Sequence, residues 1–83
     1  MARLLIQLEN QMRIGIPSET KTLEGRVALV PAACADLVLR GHEVYIQSGA
    51  GLKSGFSDDD FVKNGVKIVA DADKLYEVGE LIV

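Results

Sequence analysis

Residues 12–31 read Met-Arg-Ile-Gly-Ile-Pro-Ser-Glu-Thr-Lys-Thr-Leu-Glu-Gly-Arg-Val-Ala-Leu-Val-Pro, and this stretch decides both the fold and the candidate site. Residues 13–17 are partly β-branched and closed by a proline, which predicts a strand that enters a turn. The polar residues 18–25 follow as a loop that leads to Arg26. In chains that alternate strands and helices, ligands bind at the loops after the strands' carboxyl ends. Arginine there suits a carboxylate ligand, because lysine cannot reproduce its two parallel hydrogen bonds.

The first helix is predicted to begin at Pro31, since proline at the first helical position gives up no hydrogen bond within the helix. Val30 before it is a poor N-cap. The helix is predicted to extend through Arg40, whose charge favours the negative end of the helix dipole, and to stop at Gly41. Its core-facing stripe contains four small or apolar side chains at a spacing of three and four, namely Ala33, Cys34, Leu37 and Val38.

A second, short helix is predicted after Ser57. This serine and the aspartate three residues later resemble a capping box, with aspartate in place of the usual glutamate. The three aspartates at residues 58–60 then lie in the first turn, where carboxylates face the positive end of the dipole. Phe61 and Val62 are expected to turn inward. Residues 64–65, Asn-Gly, are expected to close the helix because they tolerate left-handed geometry.

Three further strands are predicted at residues 43–47, 66–69 and 80–83, with one or two helical turns at residues 71–76. Strands separated by helices predict parallel pairing. The expected fold class is therefore α/β: a partial three-layer α/β/α sandwich with a parallel sheet of about four strands, Rossmann-like or flavodoxin-like. The last strand is still apolar where the chain ends, and we interpret the fold as truncated at this fourth strand.

Length and composition exclude several classes of protein. The 83 residues allow one small domain, with 48% hydrophobic residues and a net charge of −3. The lysines and arginines are scattered singly, so no nucleic-acid partner is expected. No run approaches the roughly 20 apolar residues that span a bilayer, so we expect no membrane partner. The single cysteine excludes an internal disulfide, and a cytoplasmic location is expected. Residues 1–11 are interpreted as an extension before a natural start at Met12; the alternative is an extra strand or helical turn packed on a partner.

Three groups of residues suggest chemistry that their spacing does not support. Gly49, Gly51 and Gly55 follow a strand, but the last glycine comes four residues after the second instead of three, which favours a structural turn over a dinucleotide loop. Consecutive aspartates at 58–60 point about 100° apart on a helix and cannot converge on one cation. One cysteine and one histidine make a zinc site unexpected, and His42 is expected to pack or to face solvent.

The chain carries four sequence motifs that belong together. They are Ile-Gly-Ile-Pro-Ser-Glu at 14–19, Glu-Gly-Arg-Val-Ala-Leu-Val-Pro at 24–31, Gly-His-Glu-Val at 41–44 and Ser-Gly-Ala-Gly at 48–51. This set resembles the amino terminus of bacterial alanine dehydrogenase. It also resembles the domain that opens the α subunit of proton-translocating nicotinamide nucleotide transhydrogenase. The resemblance covers residues 12–83, and Ser-Gly-Phe-Ser-Asp at 54–58 favours the dehydrogenase.

The resemblance implies that residues 12–83 are the amino-terminal part of a substrate domain, with the NAD-binding domain beyond Val83. It implies that Arg26 binds the carboxylate of the amino acid or keto acid. On the residues alone, the alternative is a surface arginine paired with Glu19 or Glu24. The resemblance places the catalytic histidine and aspartate, and a second carboxylate-binding lysine, downstream. No catalytic, cofactor-binding or metal-binding residue is therefore expected within this chain.

As the resemblance implies, the intact enzyme oxidises alanine with NAD through an imine to pyruvate and ammonium. The 83-residue piece alone is expected to be inactive and to hold no cofactor. A marginal core and an open sheet edge favour a homo-oligomer. Three alternatives remain: a transhydrogenase α-subunit domain, a saccharopine dehydrogenase-like domain that binds a longer substrate, and a stand-alone interaction module without catalysis.

Overall fold

The computed structural model describes residues 11–18 and 29–83, which form a parallel sheet of four strands. The strands are β1 (Arg13–Ile16), β2 (Glu43–Gln47), β3 (Lys67–Val69) and β4 (Leu81–Ile82). β1 pairs with both β2 and β4, and β2 pairs with β3, so the order across the sheet is β3-β2-β1-β4. The predicted parallel α/β fold is confirmed. The order is that of the Rossmann-like alternative and not of the flavodoxin-like one.

Within residues 11–18 and 29–83, three helices connect the strands. They are α1 (Pro31–Leu39), α2 (Asp58–Val62) and α3 (Ala72–Val78), and a 3₁₀ turn (Leu52–Ser54) precedes α2. As predicted, α1 begins at Pro31, and Val30 supplies no side-chain cap. The helix ends one residue earlier than predicted, because Arg40 is its C-cap residue. Arg40 Nε donates to the Asp36 carboxylate at 3.1 Å, one helical turn back.

The predicted capping box opens α2. Ser57 Oγ accepts a hydrogen bond from Asp60 N–H at 3.3 Å, and the Asp60 carboxylate accepts one from Ser57 N–H at 2.8 Å. Phe61 is fully buried as predicted, but Val62 is 51% exposed, so the prediction that it turns inward is wrong. Neighbours on a helix point about 100° apart, and only one of these two side chains can face the sheet. Gly65 follows with a left-handed φ of 87°, as its sequence position indicates.

The helices α1 and α2 cover one face of the sheet and enclose the main core. Alternate residues of β1 and β2 point to this face in register. The core consists of seven buried residues: Ile16, Cys34, Val44, Ile46, Ala50, Phe61 and Val66. Val66 was predicted to open the third strand, but β3 begins one residue later. Phe61 is the largest fully buried side chain, and burying a side chain of this kind stabilises the fold by roughly 1.5–3 kcal/mol.

The helix α3 covers the opposite face. Its Leu75 is fully buried and lies over Gly15 of β1. A methyl group on Gly15 would lie 2.9 Å from Ile82 Cδ1 and 3.3 Å from Leu75 Cγ, so glycine permits the close approach of α3 to the sheet. With helices on both faces, the domain has the predicted three-layer α/β/α arrangement.

Two regions of the sequence analysis lie outside the described residues. They are residues 1–10, which belong to the predicted extension 1–11, and residues 19–28, which contain most of the predicted loop and Arg26. Within the described part of the chain, no helix has the length and apolar character needed to cross a membrane.

Candidate functional site

The strand order creates a switch point at one edge of the sheet. From β1 the chain passes to β2 and β3 on one side, and it then returns to β4 on the other side of β1. In open parallel sheets, ligands bind outside the carboxyl ends of the strands at such a point. In this chain these ends follow Ile16 in β1 and Ile82 in β4. The carboxyl edge beside β1 is therefore the candidate site.

Arg26 lies outside the described residues, but both described ends of its connection lie at this edge. Pro17 and Ser18 leave the carboxyl end of β1. At the other end of the connection, Leu29 packs against the main core. Pro31 lines a groove together with Phe56, which follows the carboxyl end of β2. The connection that carries Arg26 therefore begins and ends at the carboxyl edge.

A glutamine side chain holds the start of this connection. Ser18 N–H donates to Gln47 Oε1 at 3.0 Å. Gln47 is the last residue of β2, and Ser18 lies two residues beyond the end of β1. The contact therefore joins the carboxyl ends of two neighbouring strands at the candidate site.

The turn after β2 is held by an aspartate from α2. Asp58 Oδ1 accepts a hydrogen bond from Gly49 N–H, and Asp58 Oδ2 accepts one from Ser48 Oγ, each at 2.9 Å. Asp58 is also the first residue of α2, where its charge faces the positive end of the helix. We name this arrangement of Ser48, Gly49 and Asp58 the aspartate clamp. It fixes the backbone that follows Gln47.

The aspartate clamp also bears on nucleotide binding. In a dinucleotide loop the backbone N–H groups after the strand are available to a pyrophosphate. Here the Gly49 N–H already binds a carboxylate, which would repel a phosphate. The Gly49 N–H is therefore not available to the pyrophosphate of NAD, and we derive no hydride-transfer step at this turn.

A groove of about 480 Å³ lies next to the carboxyl-terminal end of the connection, at Val30 and Pro31. It runs between the start of α1 and the helix α2. Its lining is mostly apolar and consists of Val30, Pro31, Ala32, Gly55, Phe56, Asp60, Lys63 and Asn64. Asp60 is used by the capping box, and Asn64 Nδ2 donates to the Asp60 carbonyl at 2.7 Å. The polar groups of Asp60 and Asn64 are thus engaged within α2 and its cap.

His42 lies at the opposite, amino edge of the sheet. Its Nδ1 accepts a hydrogen bond from Met12 N–H at 3.1 Å, which ties the start of β1 to the start of β2. His42 is half-buried, so the structure does not decide between the two predicted roles, packing and facing solvent. The same edge carries Arg13, whose backbone N–H donates to the Glu80 carboxylate at 3.0 Å.

An exposed ion pair joins β2 and β3. Lys67 Nζ lies 3.1 Å from Glu43 Oε1 and 5.5 Å from the centre of the Tyr45 ring. The hydrogen bond and the charge of Lys67 lower the pKa of Glu43, and the hydrogen bond from the Lys67 ammonium to Glu43 raises the pKa of Lys67. Because both groups face solvent, the pair contributes little to stability.

The candidate metal ligands among the described residues do not come together. Cys34 is buried in the main core, and desolvation raises the pKa of its thiol, which opposes formation of a thiolate. Among residues 11–18 and 29–83, no three His, Cys, Asp or Glu side chains come together in a way that would hold a metal ion.

A parallel sheet of this order, with a polar connection at its switch point, defines a Rossmann-like α/β domain. The family model described as "Alanine dehydrogenase/PNT, N-terminal domain" matches residues 15–83. The chain belongs to this family.

Individual relatives agree with this assignment. Alanine dehydrogenase of Mycobacterium tuberculosis is 49% identical over 72 residues, which cover 87% of this chain and 19% of the relative. A solved structure of L-alanine dehydrogenase is similar with a TM-score of 0.83 and 40% identity, over 87% of this chain and 20% of that one. A transhydrogenase from Sinorhizobium meliloti has a TM-score of 0.66 and 31% identity, over 70% and 18% of the two chains.

These comparisons confirm the resemblance read from the motifs. The transhydrogenase alternative is also a structural neighbour, at lower identity and coverage than the dehydrogenase structure. The chain spans about a fifth of the length of the curated relatives that it matches.

Sequence reasoning missed two features of the site. The contact between Ser18 and Gln47 joins residues 29 positions apart, and nothing in either neighbourhood signals it. Asp58 was recognised as a first-turn carboxylate, but its bonds to Ser48 and Gly49 were not predicted. The local signal for the aspartate clamp was a serine and glycine directly after a strand, followed within ten residues by an acidic helix start.

Proposed function

We propose that residues 12–83 form the amino-terminal part of the substrate domain of an L-alanine:NAD oxidoreductase, in which Arg26 binds the substrate carboxylate. The activity is the oxidative deamination of alanine to pyruvate and ammonium, with NAD accepting the hydride. The observation that carries this proposal is the family match over residues 15–83, which includes the motif around Arg26.

Arg26 has the chemistry that this role requires. A guanidinium offers two parallel N–H donors to a carboxylate and keeps its charge at every physiological pH. The anchors of its connection, Ser18 at one end and Leu29 at the other, support a position at the switch-point edge. A carboxylate held there is neutralised and oriented, which places the α-carbon of the substrate for reaction.

The proposal assigns the other parts of the reaction elsewhere. The NAD-binding domain, the catalytic histidine and aspartate, and the second carboxylate-binding lysine lie outside residues 1–83. The 83-residue chain by itself then binds no cofactor or metal and catalyses no turnover. Residues 1–11 are an extension. The protein acts in the cytoplasm as a homo-oligomer, with alanine or pyruvate as its ligand and without a nucleic-acid or membrane partner.

The carboxylate role is tested by titrating pyruvate into the ¹⁵N-labelled 83-residue chain and following its amide resonances. A single charge-assisted contact supplies a few kcal/mol, so the expected Kd is in the millimolar range. Arg26→Ala should weaken binding by at least about tenfold. Arg40→Ala is the matched control, because it removes the same charge from the far end of α1, where Arg40 pairs with Asp36.

Pyruvamide, which lacks the negative charge, should cause no saturable shifts at the carboxyl edge. Pyruvate binding that survives Arg26→Ala, or that Arg40→Ala reduces equally, would contradict the carboxylate role. If the unaltered chain does not bind pyruvate, Arg26 alone does not hold the carboxylate, and the same Arg26→Ala comparison is then made in the longer protein that contains the second lysine.

A further inference from the structure

The helix α2 ends in a Schellman-type turn of residues 61–66, which we name the closing turn. Gly65 N–H donates to Val62 C=O at 3.0 Å, and Val66 N–H donates to Phe61 C=O at 3.1 Å. Gly65 has a left-handed φ of 87°, as the motif requires. Phe61 and Val66 are the two positions that supply the apolar contact of such a motif, and both are buried in the main core.

The closing turn contains the dipeptide Asn64–Gly65, which is chemically reactive. The backbone nitrogen of the second residue can attack the carboxamide carbon, Cγ, of the asparagine. A bond from this nitrogen to Cγ forms, the bond from Cγ to Nδ2 breaks, and the backbone proton leaves with Nδ2 as ammonia. Water then opens the cyclic imide at one of its two carbonyls and yields aspartate or isoaspartate. Glycine hinders the attacking nitrogen least, because it has no Cβ.

The fold holds both reacting groups but leaves them accessible to water. The Gly65 N–H is bound to a carbonyl oxygen, which does not take its proton. The carboxamide of Asn64 is turned back along α2, where its Nδ2 donates to the Asp60 carbonyl at 2.7 Å. Gly65 is exposed, and Asn64 is half-buried and lines the groove. The reaction therefore needs the closing turn to open, but it needs no unfolding of the sheet.

We propose that Asn64–Gly65 is a site of spontaneous deamidation, and that opening of the closing turn sets its rate. This inference is independent of the role proposed for Arg26. Turns at the ends of helices open at a lower free energy than the core strands do. The bonds of Gly65 N–H and Asn64 Nδ2 must both break, and each net hydrogen bond corresponds to a factor of about 3–10.

The products would weaken the closing turn. Aspartate at position 64 cannot donate to the Asp60 carbonyl, and its charge lies at the negative end of α2. Isoaspartate adds a methylene group to the main chain before Gly65, which changes the spacing of the two backbone bonds. Asn64→Asp reproduces the aspartate product and should lower the equilibrium constant for folding by about tenfold.

The test follows the conversion of Asn64 by peptide mapping and mass spectrometry in the 83-residue chain, kept in mildly alkaline buffer with and without denaturing urea. Asn64 should convert in both samples, about 10- to 100-fold more slowly in the folded chain, because two bonds protect it. The chain contains one other asparagine, Asn10, which precedes glutamine. In urea Asn10 should convert more slowly than Asn64 and serves as the internal reference.

A pair of matched variants separates local opening from global unfolding. Val66→Ala removes apolar contact from the closing turn, whereas Val44→Ala makes the same substitution in β2, and both valines are buried in the main core. Val66→Ala should speed the conversion of Asn64 about 3- to 10-fold more than Val44→Ala does. Hydrogen exchange of the Gly65 amide should rise by the same factor. If Val66→Ala does not fold, urea below the unfolding transition of the unaltered chain should speed conversion and this exchange together.

Each remaining outcome would overturn the proposal. Conversion in urea but none in the folded chain would show that the native protein has no such site. Equal rates in the folded and unfolded samples would show that the closing turn gives no protection. Equal acceleration by Val66→Ala and Val44→Ala would show that global unfolding, and not the closing turn, sets the rate.

Discussion

The aspartate clamp makes a quantitative prediction about two adjacent carboxylates. Asp58 and Asp59 both lie in the first turn of α2, so each gains about 0.3–1 kcal/mol from the helix dipole. Asp58 additionally accepts the bonds from Ser48 and Gly49, each at 2.9 Å. A net bond is worth about 1 kcal/mol, and more when the acceptor is charged. Asp58→Ala should therefore destabilise the fold by about 2–3 kcal/mol, and Asp59→Ala by about 0.5 kcal/mol.

The assay is urea unfolding followed by circular dichroism at neutral pH, with thermal melts alongside. For a domain of this size, about 1 kcal/mol corresponds to 4–8 °C in Tm, so Asp58→Ala should lower Tm by roughly 10–20 °C. The loss of unfolding free energy in Asp58→Asn and in Ser48→Ala should be intermediate, larger than in Asp59→Ala and smaller than in Asp58→Ala. Asparagine keeps one acceptor oxygen, and Ser48→Ala removes only one of the two bonds. If Asp58→Ala and Asp59→Ala lowered the unfolding free energy equally, the two hydrogen bonds of the aspartate clamp would contribute nothing, and only the helix dipole would explain the loss.

The remaining predictions concern the core, the surface ion pair and activity. Phe61→Ala should destabilise the fold by about 3–5 kcal/mol, because it empties the largest buried position. Val62 is the next residue but is 51% exposed, so Val62→Ala should change the unfolding free energy by less than about 0.5 kcal/mol. If urea unfolding showed that Phe61→Ala and Val62→Ala destabilise the fold equally, the core described above would be contradicted. Lys67 lowers the pKa of Glu43, so the small stability from this pair is present above the ordinary carboxylate pKa and is lost as the pH falls through the lowered value. Glu43→Gln should remove that part of the acid dependence of the urea midpoint, and an unchanged pH profile would show that the pair has no effect. The 83-residue chain should not reduce NAD⁺ with alanine in an absorbance assay; turnover above a blank, from protein free of host enzyme, would show that it carries catalytic groups of its own.

Local signals in the sequence predicted most of the fold. Pro31 marks the start of α1, and the capping box at Ser57 marks the start of α2, because both act through bonds within a few residues. The alternation of Val44 and Ile46 against Tyr45 placed β2 correctly. Val62 was misplaced because an apolar residue next to Phe61 can face either way in a helix of five residues.

The sequence left the strand order open. β4 contributes only two residues, and which side of β1 they join depends on the packing of α3. Gly15 is the residue that allows this packing, but a glycine inside a strand has several possible reasons, and only the structure shows Leu75 and Ile82 against it. The bond from Ser18 to Gln47 was likewise unpredictable, since it forms only after β1 and β2 are aligned.

The most direct test of the account follows the arginine side chains themselves. In the selectively labelled chain, the Nε–H resonances of Arg13 and Arg40 serve as internal references, because Arg13 Nε donates to the Val78 carbonyl and Arg40 Nε donates to Asp36. The account predicts that pyruvate shifts the Arg26 Nε–H resonance in a saturable manner, that pyruvamide does not, and that both references stay in place. An Arg26 resonance that does not move, or that moves only together with those of Arg13 and Arg40, would contradict the assignment of Arg26 to the substrate carboxylate.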